Sequence, residues 1–242
     1  MAALIPGHPT PIAPNAWRVL GRNPGMMTGP GTNSYLVGDR ALTVIDPGPV
    51  DHEHTQALLH AAEKIGRPIE QILVTHTHRD HSPGARELAE ASGARLLGPD
   101  VPDDGLQDET WAPERRLRHG ERVDCGGTEL EVIATPGHVG NHLCYLMVDQ
   151  NLLFTGDHLI QGSTVVIAPP SGSMAAYMDS LALLRDYRID LMAPGHGDVI
   201  DDPMATVDKT LAHRRDRERK VVEALDSDPI TVQELVTRVY ED

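Results

Sequence analysis

The sequence has few aromatic residues, which account for 3% of its 242 positions. Side chains that could stack on nucleic-acid bases are therefore scarce. Basic residues are also outnumbered, because 21 Lys and Arg face 36 Asp and Glu and leave a formal net charge of −15. This charge excludes a globally basic nucleic-acid-binding protein but still allows a local basic patch.

Cysteine and long apolar runs are scarce as well. The two cysteines, Cys125 and Cys144, lie in or beside predicted strands, and we expect buried free thiols rather than a disulfide. No uninterrupted apolar run reaches the ~20 residues that span a bilayer. Residues 1–17 contain four prolines and lack the basic and apolar segments of a secretory signal. The apolar fraction of 40% is enough for a real core. From the lack of a signal segment and of a membrane-spanning run, we expect a soluble cytoplasmic protein with no membrane partner.

Short apolar runs alternate with segments of helical periodicity, which predicts an α/β protein. The predicted strands cover residues 17–20, 34–37, 41–45, 69–74, 96–97, 122–124, 128–134, 143–148, 152–154 and 189–193. The predicted helices cover residues 53–65, 85–91, 174–185, 204–226 and 231–240. The Gly-rich residues 23–31 either overhang a site or simply connect two strands. We expect the acidic residues 99–114 to be a solvated surface loop without chemistry.

The strongest chemical signal is the segment His-Thr-His-Arg-Asp-His at residues 76–81. It follows a predicted buried strand, and Ser82-Pro83 after it is typical of a helix start. These side chains therefore lie in a loop at the C-terminal end of a strand, where α/β sheets usually bind their ligands. Imidazole and carboxylate groups are good ligands for Zn, Fe or Mn.

Three later turns deliver His or Asp in the same way, each where a predicted strand ends. They are Thr-Pro-Gly-His at residues 135–138, Thr-Gly-Asp-His at 155–158 and Pro-Gly-His-Gly at 194–197. Each turn alone is a weak signal, but together with residues 76–81 they can supply seven ligands at one sheet edge. That number suits two metal ions that share a carboxylate. Asp46, at the end of another predicted strand, either hydrogen-bonds a ligand at this edge or is only a turn residue before Pro47.

The order and spacing of these motifs over residues 30–200 resemble the metallo-β-lactamase superfamily. The resemblance implies an αββα sandwich of two similar halves, followed here by a short C-terminal helical extension. It also implies a hydrolase with two divalent transition-metal ions, for which zinc is the expected element. By the same resemblance, His76, His78 and His138 hold one ion, Asp80, His81 and His196 hold the other, and Asp157 bridges the two.

A narrower resemblance is carried by Gly-Thr-Asn-Ser-Tyr-Leu-Val-Gly at residues 31–38, Gly-Ser-Thr-Val-Val at 162–166, Tyr-Met-Asp-Ser-Leu at 177–181 and His-Arg-Arg-Asp-Arg-Glu at 213–218. These segments are similar to the branch that includes the mitochondrial endoribonuclease β-lactamase-like protein 2 and its bacterial relatives, which carry a winged-helix-like tail. The resemblance implies a catalytic domain at residues 1–203 and a partial tail at 204–242. Residues 230–240 resemble the first helix of the winged-helix-like tail, and we expect the rest of that tail to be absent because the sequence ends at Asp242. The branch often has a small residue or Cys where this chain has His158.

Hydroxide formed on the metals would attack phosphorus or a carbonyl carbon, and we expect Asp80 to orient it. His142 is a candidate proton donor or a partner that supports a ligand, unless it is simply a histidine at a strand edge. We expect His158 to face solvent. The expected substrates are phosphodiesters such as single-stranded RNA. The alternative is a small-molecule thioester or other acyl compound, as for glyoxalase II, and β-lactam hydrolysis comes third.

Two further interpretations concern the same chain. A metal-stabilised binding module without turnover is disfavoured by the complete ligand set. Residues 209–220 hold six basic and two acidic residues, and this excess either contacts phosphates or forms a solvated helix face.

The C-terminal segment has two apolar patterns. Val207, Leu211, Val221, Val222 and Leu225 form a helical stripe that the charged residues 213–220 interrupt. We therefore expect both ends of this helix to dock on the protein while its middle stays exposed. Residues 231–240 have an apolar face on a helix too short to be stable alone. We expect them to lie in a homodimer contact or to be poorly ordered.

Overall fold

Two β-sheets pack face to face at the centre of the computed structural model, which describes residues 5–225 and 230–240. The first sheet has the order β1-β2-β3-β4-β5-β6-β7, with strands Thr10–Ala13, Ala16–Leu20, Asn33–Val37, Leu42–Ile45, Ile69–Leu73, Arg95–Gly98 and Arg115–Arg116. The second has the order β12-β11-β10-β9-β8. In chain order from β8 its strands are Arg122–Asp124, Glu129–Ala134, Leu143–Met147, Leu152–Gly156 and Leu191–Pro194. Pairing is antiparallel from β1 to β4 and from β8 to β11, and parallel from β4 to β7 and between β11 and β12.

Helices cover the outer faces of both sheets. Helices α1 (His52–Ile65) and α2 (Gly84–Ser92) pack on the first sheet, and α3 (Met174–Leu183) and α4 (Pro203–Leu225) pack on the second. Helix α5 (Val232–Tyr240) packs on α4. The order of layers is helix, sheet, sheet, helix, which confirms the predicted αββα sandwich with a C-terminal helical extension.

Three apolar layers hold the sandwich together, one between the sheets and one under each helix pair. Most central strands are thus buried on both faces, which is why they read as continuous apolar runs rather than as alternating patterns. The middle layer includes Tyr35, Ile45, Leu73, Leu130, Tyr145 and Phe154. The outer layers include Val44, Leu58, Ile72 and Leu88 on one side, and Cys144, Leu153, Tyr177 and Leu181 on the other.

The prediction for the acidic residues 99–114 was wrong. Trp111 is buried in the apolar layer under α1 and α2, and its indole N–H donates to the carbonyl of Pro99 at 3.0 Å. Gln107 and Asp108 are also buried. A tryptophan in an otherwise acidic stretch was the available signal, because so large an apolar side chain usually packs inside a protein.

The expectation for α4 was correct at one end and wrong at the other. Val207 and Leu211 are buried in the outer layer on the second sheet, so the start of α4 is docked. Val222 and Leu225 near its end are each 54% exposed. Helix α5 packs on α4 and buries Val239.

Two other sequence expectations concern the cysteines and membranes. Cys125 and Cys144 are free and buried, as predicted. Within residues 5–225 and 230–240, none of the helices combines the length and the apolar character needed to cross a membrane.

The homodimer prediction rests on the exposed apolar side chains of α5, which include Val232 and Val236. We expect the protein to sediment as a dimer, and Val232→Glu combined with Val236→Glu to shift it to a monomer, because a buried contact does not tolerate unpaired charge. Analytical ultracentrifugation measures the change. Val50→Glu is the control, since Val50 and Val232 are both 78% exposed. A wild-type protein that sediments as a monomer at every concentration would contradict the prediction.

Candidate metal centre

Four turns at one edge of the sandwich carry the seven predicted ligand residues. Strand β5 leads into residues 76–81, β9 into His138, β11 into Asp157 and β12 into His196. The structure brings all seven side chains together. Their ligand atoms lie within 4.8 Å of one another in three overlapping groups: His76, His78 and His138; His76, His81 and Asp157; Asp80, His81 and His196.

Buried tyrosines join the two sheets beside these turns. The hydroxyl of Tyr145, on β10, donates to the carbonyl of Val74 just before the ligand loop at 2.6 Å. The hydroxyl of Tyr35, on β3, donates to the carbonyl of Pro194 at the end of β12, also at 2.6 Å. Each sheet therefore fixes the backbone from which the other sheet presents its ligands.

The first group consists of three imidazoles with converging nitrogens. Nδ1 of His78 lies 3.0 Å from Nε2 of His76 and 3.0 Å from Nε2 of His138. Burial, together with the neighbouring histidines, lowers the pKa of His76 well below its usual range and that of His78 to about 4. Both rings are therefore neutral at pH 7, as metal ligation requires.

Asp157 stands between the first group and the second. Its Oδ1 lies 3.4 Å from Nε2 of both His81 and His196, and its Oδ2 lies 3.6 Å from Nε2 of His138. The backbone of β12 approaches this carboxylate closely, because a Cβ on Gly195 would lie only 2.7 Å from Oδ1. Glycine is thus required at residue 195 for the two turns to meet.

The second group contains opposite charges. Oδ2 of Asp80 lies 3.2 Å from Nε2 of His196 and 3.5 Å from Nε2 of His81. Although burial opposes protonation, the nearby carboxylates of Asp157 and Asp80 raise the pKa of His196 to about 9. Burial likewise opposes the charge of Asp157, but His81 and His196 hold its pKa well below its usual range. A bound cation would displace the protons from these imidazoles.

Two buried polar atoms without a hydrogen-bond partner among the described residues indicate whether these residues fit a metal ion. Nε2 of His81 and Oδ1 of Asp157 make no hydrogen bond within the described part of the chain. Buried polar atoms rarely lack a partner, and both atoms belong to the ligand groups above. Imidazole nitrogens and carboxylate oxygens are the donors that zinc accepts. The residues therefore fit a site for divalent transition metals.

Nδ1 of His76 and Nδ1 of His81, which point away from the ligand groups, are each held by a hydrogen bond. The N–H at Nδ1 of His81 donates to Oδ2 of Asp46 at 2.9 Å, which confirms the predicted role of Asp46. The hydroxyl of Thr75 also donates to Asp46, at 2.7 Å, and therefore accepts from Nδ1 of His76 at 3.0 Å. Both rings thus turn Nε2 toward the metal groups.

Backbone carbonyls orient two other histidine rings in the same way, by accepting a hydrogen bond from Nδ1. Nδ1 of His138 donates to the carbonyl of Val166 at 2.6 Å, and Nδ1 of His196 donates to the carbonyl of Gly31 at 3.2 Å. Neither carbonyl could be identified from sequence, because a backbone acceptor has no residue signature.

A cavity of 480 Å³ opens onto these groups. Five of the predicted ligand residues line it: His78, Asp80, His138, Asp157 and His196. Its walls are mostly apolar and include Met26, Met27, Pro30, Leu106, Val139, Ile160, Val165 and Val166. The Gly-rich segment 23–31 therefore does overhang a site. Within the described residues, no Lys or Arg lines the cavity.

Residues 104–108 take part in this site, contrary to the sequence prediction for 99–114. Asp104, Leu106 and Gln107 line the cavity. The hydroxyl of Thr77 donates to Gln107 at 2.8 Å, and that of Ser82 donates to Asp108 at 2.7 Å. The acidic segment therefore supports both ends of the ligand loop.

His142 and His158 lie behind the metal groups and outside the cavity lining. Nε2 of His142 accepts the backbone N–H of Asp157 at 3.1 Å, so the proton on Nδ1 donates to the hydroxyl of Thr135 at 2.9 Å. This geometry favours the supporting role of His142 over proton donation to a substrate. His158 is fully buried against the ring of Tyr177, so the expectation that it faces solvent was wrong.

The family model described as "Metallo-beta-lactamase superfamily" matches residues 27–196. The chain is 32% identical over 228 residues to the "Beta-lactamase-like protein 2 homolog" of Caenorhabditis elegans, covering 93% of this chain and 76% of that protein. It is 28% identical over 239 residues to the "Atrochrysone carboxyl ACP thioesterase" of Passalora fulva, covering 95% and 69%. A metallo-beta-lactamase family protein from Thermus thermophilus has the same fold, with a TM-score of 0.78 at 22% identity, covering 95% of this chain and 89% of that one.

The hydrogen bond from His81 to Asp46 leads to a prediction about metal affinity. Asp46→Asn should weaken binding of one metal ion by about 10- to 100-fold, because the amide no longer fixes the orientation and charge of His81. Asn is suitable because Asp46 has φ 53°, a left-handed conformation that Asn also tolerates. Competition with a chelator measures the affinity. Asp149→Asn, on an exposed residue, is the control, and equal affinities in the two variants would refute the role of Asp46.

Proposed function

The chain belongs to the metallo-beta-lactamase superfamily of hydrolases, and from this premise we propose that it works with two divalent metal ions, with zinc as the expected element. Its similarity to the beta-lactamase-like protein 2 homolog confirms the narrower resemblance in the sequence. The observation that carries the two-metal proposal is the position of Asp157, whose two oxygens face two different histidine groups. A shared carboxylate of this kind is typical of dinuclear hydrolytic sites.

In this proposal the ligands are divided as the groups lie in space. His76, His78 and His138 would hold one ion, Asp80, His81 and His196 would hold the other, and Asp157 would be shared. Such ions supply Lewis acidity and lower the pKa of water toward ~7. Asp80 lines the cavity and its side chain is 30% exposed, so its carboxylate can accept a hydrogen bond from the attacking water and orient it. His142 keeps the backbone of Asp157 in place.

We propose an acyl thioester or ester as the substrate. The cavity beside the metal groups is mostly apolar, and no Lys or Arg among the described residues lines it. Such walls suit an uncharged acyl chain, and they offer no Lys or Arg to neutralise the phosphates of a polyanion. Its volume of 480 Å³ lies in the usual range for small-molecule sites. The thioesterase from Passalora fulva among the relatives also supports this substrate class.

Single-stranded RNA is the second candidate. The exposed Arg79, between His78 and Asp80 in the ligand loop, favours it because it could contact a phosphate beside the metals. The basic residues of α4 support it less than the sequence suggested. Arg214 donates to a backbone carbonyl and Arg219 pairs with acidic neighbours on its own helix.

We also propose a cytoplasmic location for the protein. Its two cysteines are free thiols, which are typical of reducing compartments.

The first test of this proposal is the metal load. Elemental analysis of metal-replete protein should return about two transition-metal ions per chain. Asp157→Ala should lose at least one ion and more than the ~100-fold in turnover that supporting residues typically cost.

His158→Ala is the matched control for that variant, because it changes the next residue without touching the ligand groups. It should keep both ions and most of the turnover, although loss of a fully buried ring should lower stability. Equal metal loss in both variants would contradict the bridging position of Asp157.

The second test concerns the acyl chain. We expect N-acetylcysteamine thioesters to be hydrolysed, with octanoyl preferred over acetyl by at least about tenfold in kcat/KM, since each buried methylene contributes ~0.8 kcal/mol. Leu106→Asn should reduce this preference because Leu106 lines the cavity. Val50→Asn, on an exposed residue outside the cavity lining, should not change it.

A fluorescent single-stranded RNA oligonucleotide provides the competing measurement. If it is cleaved faster than any thioester, and if Arg79→Gln selectively slows that cleavage, RNA replaces the acyl substrate. A nitrocefin assay distinguishes β-lactam hydrolysis from both.

A further inference from the structure

Residues 160–167 form a wall of the metal centre that contains no helix or strand. Ile160, Val165 and Val166 of this segment line the cavity. In the described part of the chain these eight residues make no backbone–backbone hydrogen bond to any other segment. Their position therefore depends on side chains from elsewhere.

Two side chains hydrogen-bond to this segment, at adjacent carbonyls. Nδ1 of His138 donates to the carbonyl of Val166 at 2.6 Å. The guanidinium of Arg214 donates to the carbonyl of Val165 at 2.6 Å. Within the described residues, these are the only hydrogen bonds that join residues 160–167 to other parts of the chain. The carbonyl that orients His138 thus lies one peptide away from the carbonyl that Arg214 holds.

We propose that Arg214, on the C-terminal helix α4, is a positioning residue for the metal centre and for the cavity wall. It holds the peptide at Val165 so that the next carbonyl, that of Val166, keeps Nε2 of His138 pointed at the ligand groups. The proposal rests on the metal role of His138 given above. It assigns to α4 a role in completing the active site.

A second contact of Arg214 leads to the same turns. Its guanidinium carbon lies 5.4 Å from the ring centroid of Tyr177, a distance suited to a cation–π contact. The hydroxyl of Tyr177 donates to the carbonyl of His158 at 2.9 Å, next to Asp157. The backbone of Tyr177 also lies against the turn before His138, where a Cβ on Gly137 would come within 2.4 Å of its Cα.

The neighbouring basic residues of α4 are arranged differently. Arg215 is exposed. Arg217 donates to the carbonyl of Val239 and lies over the ring of Tyr240, so it contacts α5 rather than the metal centre. The contact with the wall of the metal centre therefore distinguishes Arg214 from these two arginines. Replacing Arg214 should affect metal binding, whereas replacing Arg215 or Arg217 should not.

The test compares Arg214→Gln with Arg215→Gln and Arg217→Gln in the full-length protein. All three lose one charge from the same helix. In chelator competition we expect Arg214→Gln to lower the affinity for one of the two zinc ions by about 10- to 100-fold and to leave the affinity for the other unchanged. Amide hydrogen exchange of residues 160–167 should become faster in this variant. The two control variants should match the wild type in both measurements.

A selective loss of affinity for one ion distinguishes a positioning role of Arg214 from a general loss of stability, because lower stability would reduce the affinity for both ions. Arg214→Lys keeps a donor and the charge, so it should recover part of the lost affinity and provides a second variant if Arg214→Gln does not fold. Equal zinc affinities in Arg214→Gln and Arg215→Gln would overturn the proposal. A wild-type protein that binds no zinc would instead overturn the proposed metal function, so the two failures are distinguishable.

Discussion

The buried carboxylate of Asp157 is the interaction on which the rest of the site depends. Removing a charge from water is costly unless an opposite charge or a metal compensates for it. One oxygen of Asp157 faces His81 and His196, and the other faces His138. These residues come from three separate turns, so the ends of β5, β9, β11 and β12 must meet within a few ångströms. The face-to-face packing of the two sheets satisfies this requirement, and the hydroxyls of Tyr35 and Tyr145 fix it at the ligand turns.

Around this carboxylate the protein controls which nitrogen each histidine presents. Asp46 and Thr75 hold His81 and His76, and backbone carbonyls hold His138 and His196. Each partner accepts a hydrogen bond from Nδ1 of its ring, so Nε2 of all four rings points inward before any ion binds. Such preorganisation reduces the ordering that binding requires. Burial lowers the pKa of His76 and His78 in the first group, whereas the carboxylates raise the pKa of His196 in the second, so the two halves of the site differ in character.

The C-terminal helix extends this control to the cavity. Helix α4 is docked at its start through Val207 and Leu211, and Arg214, three residues later, reaches the irregular wall beside His138. At least one of the basic residues in 209–220, Arg214, therefore has a structural role. The apolar cavity, rather than the basic helix, then becomes the main guide to the substrate.

The sequence by itself indicated the strands, the helices and seven candidate ligand residues, because strand periodicity and ligand turns are local patterns. The αββα architecture was implied by the resemblance of its motifs to the metallo-β-lactamase superfamily. The sequence also indicated Asp46, through its position at a strand end on the same edge. Only the tertiary structure decided the burial of Gln107 and Asp108, the supporting position of His142 and the contact of Arg214 with Val165. The physical reason is that these features depend on contacts between residues far apart in the chain. Such contacts involve backbone acceptors and cavity walls, which leave no pattern in the sequence.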